Sequence, residues 1–357
     1  MKKILCILCM ALSLVACDDK KSDKPVVKIG VVSSFSGKFA ENGENVKATL
    51  DLALQDVAPK NIQIKYVYED FGYDAPRAAT AANKLINVDK VDAIISWSAV
   101  AGNVISPIAD KAGIFHFSIS NDKNIAVGKH NFIHWTQSEV LADKMVDLIK
   151  SKGAKSVVLF AVYQPGLQQT TDFVESKLKA VGIKTERVNF GIDDKDFNVI
   201  VDKMKKKNFD VWYTTALPPS LDILLKTILE KQVNKPLVAI DSFLFSNIQD
   251  KLDGAQYIIT PEGDKNLLTR VTEKTGSTNY FSLGYTYDAG YILGTVYSEL
   301  YDELGRKPTS EEVANKIKEI KNFHGSVGDI WVDDDGVFQS GAIVKEIKDG
   351  KPVVIEK

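Results

Sequence analysis

The chain has 357 residues, enough for two or three domain-sized units and a sizeable core. Its 45 Lys and Arg against 47 Asp and Glu give a net charge of −2, with 45% hydrophobic and 26% charged residues. This balance excludes long disorder, collagen-like sequence and a multi-span membrane protein, and a pI near 6.2 lacks the basic surplus of a nucleic-acid binder.

The chain opens with Met1-Lys2-Lys3 and an apolar run from Ile4 to Ala16. Those 13 residues fall short of the roughly 20 that span a bilayer as a helix, so the segment reads as an export signal. Asp18 to Pro25 has almost nothing to bury and reads as a charged tether. From Val26 the pattern alternates. Val26 to Val32 is a strand, and Glu44 to Val57 carries apolar residues at helical spacing. Ile62 to Tyr68 has a strand period, and Pro76 opens a helix through Ile86. Val91 to Trp97 and Ile114 to Ile119 are strands with a helix between them. Strands and helices alternating in this way predict right-handed crossovers and a parallel sheet.

The pattern restarts after His134. Ser138 is positioned to cap a helix that ends at Gly153, and Val157 to Val162 is a strand followed by a helix to Gly182. Lys184 to Phe190, Asp210 to Ala216 and Leu237 to Ile240 are further strands. A helix opening at Asp193, Asp194 and Asp196 and closing on the basic run Lys203 to Lys207 suits the helix dipole. Gly284 to Leu304 is a long helix rich in tyrosine, and the tail is β-rich, with Asp335-Gly336 and Asp349-Gly350 as hairpin turns. No linker divides the two α/β units.

Catalytic and metal signatures are missing from the sequence. There is no G-x-S-x-G, and all three cysteines, Cys6, Cys9 and Cys17, lie in the first 17 residues. His130 and His134 stand four apart without an H-E-x-x-H, and Asp333-Asp334-Asp335-Gly336 has Val344 where a calcium loop needs its bidentate Glu. Neither metal nor cofactor is expected. Ser36, with the backbone of Gly37 to Gly43, follows the first strand where open α/β sheets bind ligands.

Two resemblances follow from these residues. Leu14-Val15-Ala16-Cys17 resembles the bacterial lipoprotein box. That implies cleavage before Cys17, lipid on its thiol and, through Asp18, retention at the inner membrane. From Val26 onward the chain resembles the type I periplasmic solute-binding proteins of the branched-chain amino acid binding family. The cues are Ser34-Phe35-Ser36-Gly37 after the first strand, Glu69-Asp70 followed by Pro76-Arg77-Ala78-Ala79, Val91-Asp92-Ala93-Ile94-Ile95, and Tyr287-Asp288-Ala289 on the long helix. The resemblance implies two Rossmann-like lobes with parallel sheets, residues 26–135 with 260–336 and 136–259 with 337–357, joined by a three-crossing hinge.

It also implies a ligand cleft between the lobes and a monomer that docks on the permease of an ABC importer. Residue by residue, the carboxylate-binding loops become Trp97, Ser98 and Ala99 and then Ser120 to Asp122, with Asp122 where a Thr is typical. Asp241 takes the place of the ammonium partner. Asn42 stands at a first-lobe position usually aromatic, and Pro165 and Ala216 at second-lobe ones. Tyr163 and Phe243 are near enough in sequence to replace them. Asp122 and Asp241 favour a cationic or donor-rich ligand. Two other readings stay open: a sensor presenting a small amine, amide or aromatic acid to a membrane receptor, and an enzyme on this scaffold.

Overall fold

The computed structural model describes residues 24–356, so the export segment, Cys17 and Asp18 lie outside the described residues. Parallel strands alternating with helices begin at once: β1 (Val26–Ser33), α1 (Ala40–Val57), β2 (Gln63–Asp70), α2 (Ala75–Lys84), β3 (Ala93–Trp97), α3 (Ala99–Ala112), β4 (Phe115–Ile119) and β5 (Asn131–His134). β1 lies inside the sheet, between β2 and β3, and is covered on both faces, which explains an apolar run interrupted only by Lys28 near its start: Val27, Ile29, Val31 and Val32 are all fully buried. β2 lies at the sheet edge and alternates exposed Gln63 and Lys65 with buried Ile64. Asp74 caps α2, accepting from the Arg77 N–H at 2.9 Å, with Pro76 in the first turn.

A second set follows: α4 (Ser138–Ser151), β6 (Ser156–Val162), α5 (Pro165–Ala180), β7 (Lys184–Phe190), α6 (Asn198–Lys207), β8 (Val211–Thr215), α7 (Ser220–Glu230), β9 (Leu237–Ile240) and β10 (Gln256–Ile259). Gln137, not Ser138, stands at the N-cap of α4. The three aspartates before α6 are also outside that helix; Asp196 instead accepts from the Asn198 N–H at 2.8 Å, turning the chain into it.

The chain then returns to the first lobe with α8 (Lys265–Thr275), α9 (Leu283–Leu304), α10 (Ser310–Lys318), β11 (Phe323–Gly325), β12 (Gly328–Val332) and β13 (Val337–Gln339). It finishes in the second lobe with β14 (Ile343–Lys348) and β15 (Lys351–Glu356). The strand orders are β11-β12-β13-β5-β4-β3-β1-β2 and β15-β14-β10-β9-β8-β6-β7. Both sheets are mixed: hairpins add antiparallel strands at one edge of each parallel core. β13 pairs with β5, so the third crossing lies at residues 340–342 and not after residue 336. Three residues that read as second-lobe strand belong to the first sheet.

The crossings are tied together. Thr136 Oγ1, in the first, lies 2.7 Å from Tyr285 Oη and 2.8 Å from Ser340 Oγ, and donates to the Gly341 carbonyl at 2.8 Å. Asp288, one turn along α9, accepts from the Ser326 and Val327 N–H groups at 2.6 and 3.2 Å. This seats the β11–β12 turn on the long helix. A Cβ on Gly325 would meet Asp288 Oδ2 at 2.6 Å, so only glycine fits there.

Candidate functional site

The C-terminal ends of parallel strands, where open α/β sheets take ligands, supply walls on both lobes. Two cavities lie between them. A cavity of about 660 Å³ runs from Ala99 and Asn121–Asn124 on the first lobe to Gln137–Glu139 and the first half of α5 on the second. A cavity of about 280 Å³ is walled by Trp135, Asp241, Leu244 and Phe245, the crossing at residues 259–262, and residues 278–282 just before α9.

Most first-lobe polar residues named by the sequence are already engaged. Ser36 donates to Asp70 Oδ2 at 2.6 Å, and Asp70 also accepts from the Phe35 and Gly72 N–H groups and from Arg77. Desolvation pushes the Asp70 carboxyl upward, but these donors outweigh it and hold the group down at about 2. Ser36 is a bracket for that turn and lines neither cavity. Asn42 is buried in α1 and also lines neither. A Cβ on Gly43 beside it would come 2.2 Å from the Ser34 carbonyl, a measure of how tightly α1 closes on this loop.

Trp97 is nearly buried and donates its indole N–H to Ser282 Oγ at 2.9 Å. Its ring meets Phe281 edge-on at 6.3 Å, so it backs the smaller cavity without lining it. Ser98 has φ 80° and ψ 156°, a conformation costly for any residue but glycine. Its N–H donates to the Ile119 carbonyl, while its hydroxyl is buried without a partner. Ser120 is buried, and its hydroxyl accepts from the Asp122 N–H at 3.1 Å. Ala99 and Asp122 do line the larger cavity. Asp122 accepts from Asn103 Nδ2 at 2.7 Å and from the Asn124 N–H at 3.0 Å.

On the second lobe Tyr163 is two-thirds exposed and lines neither cavity. Ala216 is fully buried, with its N–H given to Ser242 Oγ at 2.8 Å. Phe243 is fully buried as well and packs edge-on against Tyr257 at 5.8 Å. Residues 242–245 form a 3₁₀ turn, in which successive side chains diverge by a third of a turn. Phe243 therefore enters the core, and Leu244 and Phe245 take the cavity wall.

Asp241 lies in the smaller cavity, at φ 55° and ψ −30°. Its backbone is pinned by bonds from its N–H to the Ile258 carbonyl and from the Leu244 N–H to its own carbonyl, both 2.9 Å. No group among the described residues donates to its carboxylate. Burial pushes that carboxyl up to about 7. Sequence reading passed over Trp135 and Phe281. Trp135 stacks on Tyr285 at 4.4 Å and meets Phe281 at 5.2 Å. An aromatic side chain in the turn-rich stretch Thr278-Asn279-Tyr280-Phe281-Ser282, with no periodic face to bury it, was the available signal.

A sequence model of the periplasmic binding proteins matches residues 26–352. The chain belongs to this family. An amino acid binding protein of Pseudomonas aeruginosa is 25% identical over 279 residues, covering 73% of this chain and 74% of its own. The structure is similar to a leucine binding protein from Thermotoga maritima, with TM-score 0.70, 22% identity and coverage of 92% and 97% of the two chains. It is also similar to an ABC transporter solute-binding protein from R. palustris in complex with benzoate, with TM-score 0.70, 16% identity and coverage of 93% and 96%. The periplasmic binding proteins are solute binders, and the two-sheet architecture here is their type I fold. Among the described residues no helix is long and apolar enough to cross a membrane, and no group of three or more His, Cys, Asp or Glu side chains is placed to hold a metal.

Proposed function

We propose that this chain is the lipid-anchored solute-binding component of an ABC importer. It captures a small organic ligand between its lobes, closes over it by bending at the three crossings, and delivers it to a membrane permease without chemical change. One observation carries the reading: two cavities lie between the lobes, one lined by Ala99 and Asp122 opposite Gln137 and α5, the other by Trp135, Phe245 and Phe281 beside an Asp241 whose carboxylate has no donor among the described residues. Backbone strain supports it. Asp241 and Ser282, which line the smaller cavity, hold positive φ, as does Ser98 immediately before Ala99 of the larger one, and such strain clusters at ligand sites. The family membership supports an extracytoplasmic location, and Leu14-Val15-Ala16-Cys17 supports the anchor.

The test is a thermal-shift screen of the mature chain over amino acids, amides, amines and aromatic acids, followed by small-angle scattering with any hit. A true ligand raises the melting temperature as ln(1 + [L]/Kd) and contracts the particle. Unchanged scattering at saturation defeats the hinge, and Cys17→Ser remaining with the membrane fraction defeats the lipid anchor.

A further inference from the structure

Three helices begin at the larger cavity. Ala99 opens α3, Ser138 opens α4 and Gly166 lies in the first turn of α5, and all three residues line it. None of these helices has a side-chain cap. No acceptor among the described residues reaches the Ser138 or Glu139 N–H of α4 or the Gly166 N–H of α5, so the second-lobe wall presents open donors. The Ser138 side chain is 8% exposed; its hydroxyl accepts from Thr170 at 3.4 Å and donates to nothing among the described residues.

Helix starts attract negative charge, but the wall already supplies it. Asp122, Glu139 and Asp172 line this cavity against one basic residue, Lys123. Each carboxylate is taken. Asp122 accepts from Asn103 at 2.7 Å, Glu139 pairs with Lys123 at 2.7 Å, and Asp172 pairs with Arg187. An anion on the second-lobe wall meets the Glu139 and Asp172 carboxylates, and a cation finds no unpaired carboxylate while facing positive helix ends. The group that fits is uncharged.

That group must also donate. Gln137 lines the cavity and is only 2% exposed. Its Nε2 donates to the Trp135 carbonyl at 2.9 Å, and no donor among the described residues reaches its Oε1. Leaving a buried acceptor unmade costs more than a made bond gains, so Gln137 selects for a ligand N–H. Asn121 and Asn124 from the first lobe and Gln169 from α5 add side-chain amides without partners among the described residues. An amide supplies both halves: a carbonyl for the open N–H groups and an N–H for Gln137, with no charge.

We infer that the ligand carries an uncharged carboxamide group seated in the larger cavity, its N–H on Gln137 and its carbonyl on the first turns of α4 and α5. This rests on the cleft being the binding site, as proposed above. It assigns the larger cavity alone and holds whichever group occupies the smaller one.

Titration calorimetry on the full mature chain with two matched sets of compounds decides the matter. One set is glutamine, glutamate, lysine and norleucine; the other is 3-phenylpropanamide, 3-phenylpropanoate and 3-phenylpropylamine. Within each set the terminal group is the main difference. In at least one set the amide is expected to bind at least about 10-fold tighter than every relative, because a site that hydrogen-bonds a ligand group rejects analogues that leave its partners unpaired. Gln137→Ala should weaken that amide about 10-fold and leave its relatives within about threefold, so the preference disappears. Gln169→Ala, at an exposed residue, should narrow the preference with the melting temperature unchanged, and serves if Gln137→Ala fails to fold. A carboxylate, ammonium or methyl relative that binds as tightly as the amide overturns the inference. So does the absence of amide binding in both sets at about 10 mM, or a preference that survives both substitutions. A solute without an amide group that stabilises the protein and closes the cleft would leave the solute-binding reading standing while this one falls.

Discussion

The loops after β3 and β4 in the first lobe and the turn after β9 in the second are built from the same materials and differ in what is left over. Ser120 and Asp122 spend their polar groups on one another and on neighbouring residues, while Ser98 gives its N–H to the Ile119 carbonyl and keeps a buried hydroxyl without a partner. Asp241 spends only its backbone. Polar side chains at strand ends are therefore not equivalent binding groups. One whose donors and acceptors are used internally shapes the wall, and one left unpaired in a low-dielectric site is available to a ligand.

The sharpest way to break this comparison is inside the turn itself. Phe243→Ala is expected to cost about 3–5 kcal/mol of stability, the usual loss for a fully buried aromatic, with ligand affinity changed only through folding. Phe245→Ala, two residues on and 45% exposed, should leave stability within about 0.5 kcal/mol and act on ligand affinity instead. Urea unfolding and calorimetry on the two variants separate the roles. Equal stability losses would place Phe245 in the core.

The pH dependence of stability sharpens the comparison between lobes. His116, on β4 beside Ser96 and Asn131, is fully buried, and burial pushes its imidazole down to about 4 against an ordinary value near 6.5. Between those values the unfolded chain holds a proton that the folded one excludes. Stability from this site is complete above about pH 6.5 and falls by about 3 kcal/mol as pH drops to 4. Asp241 has the opposite sign. Its folded carboxyl is raised to about 7, so the folded chain holds the extra proton and loses stability as pH rises from about 4 to 7. Between about pH 4 and 6.5 the two slopes nearly cancel, so urea midpoints should rise with pH in Asp241→Asn, which keeps only the His116 slope, and fall with pH in His116→Gln, which keeps only the Asp241 slope. The reverse assignment of slopes would refute both environments.

The smallest effect is expected at Asp70. Its folded carboxyl is depressed to about 2, so its contribution is present above about pH 4 and is lost as pH falls through 2. Asp70→Ala strands the Phe35 and Gly72 N–H groups, which accessible solvent partly rescues, so a loss of about 1–2 kcal/mol is expected. Ligand affinity should stay within about threefold, because Ser36 and Asp70 lie outside both cavities. A large drop in affinity with intact stability would bring this turn into the binding site.

Local pattern alone determined much of the architecture. The apolar run of β1, the alternation of β2, the proline at the start of α2 and the long α9 are read from neighbours a few residues apart, because burial on one or two faces imposes a period on the chain. The α/β class and the position of Asp241 at a strand end follow from the same reading. Tertiary structure decided the rest. β13 joined the first sheet because its partner, β5, lies some two hundred residues earlier, and no local pattern distinguishes the two sheets. Ser36 was consumed by Asp70, 34 residues away, and Trp97 by Ser282, 185 residues away. Phe243 and Phe245 exchanged roles because a 3₁₀ turn rotates adjacent side chains apart. A sequence lists which residues can donate, accept or stack; whether they are still free to do so depends on contacts that exist only once the chain has closed on itself.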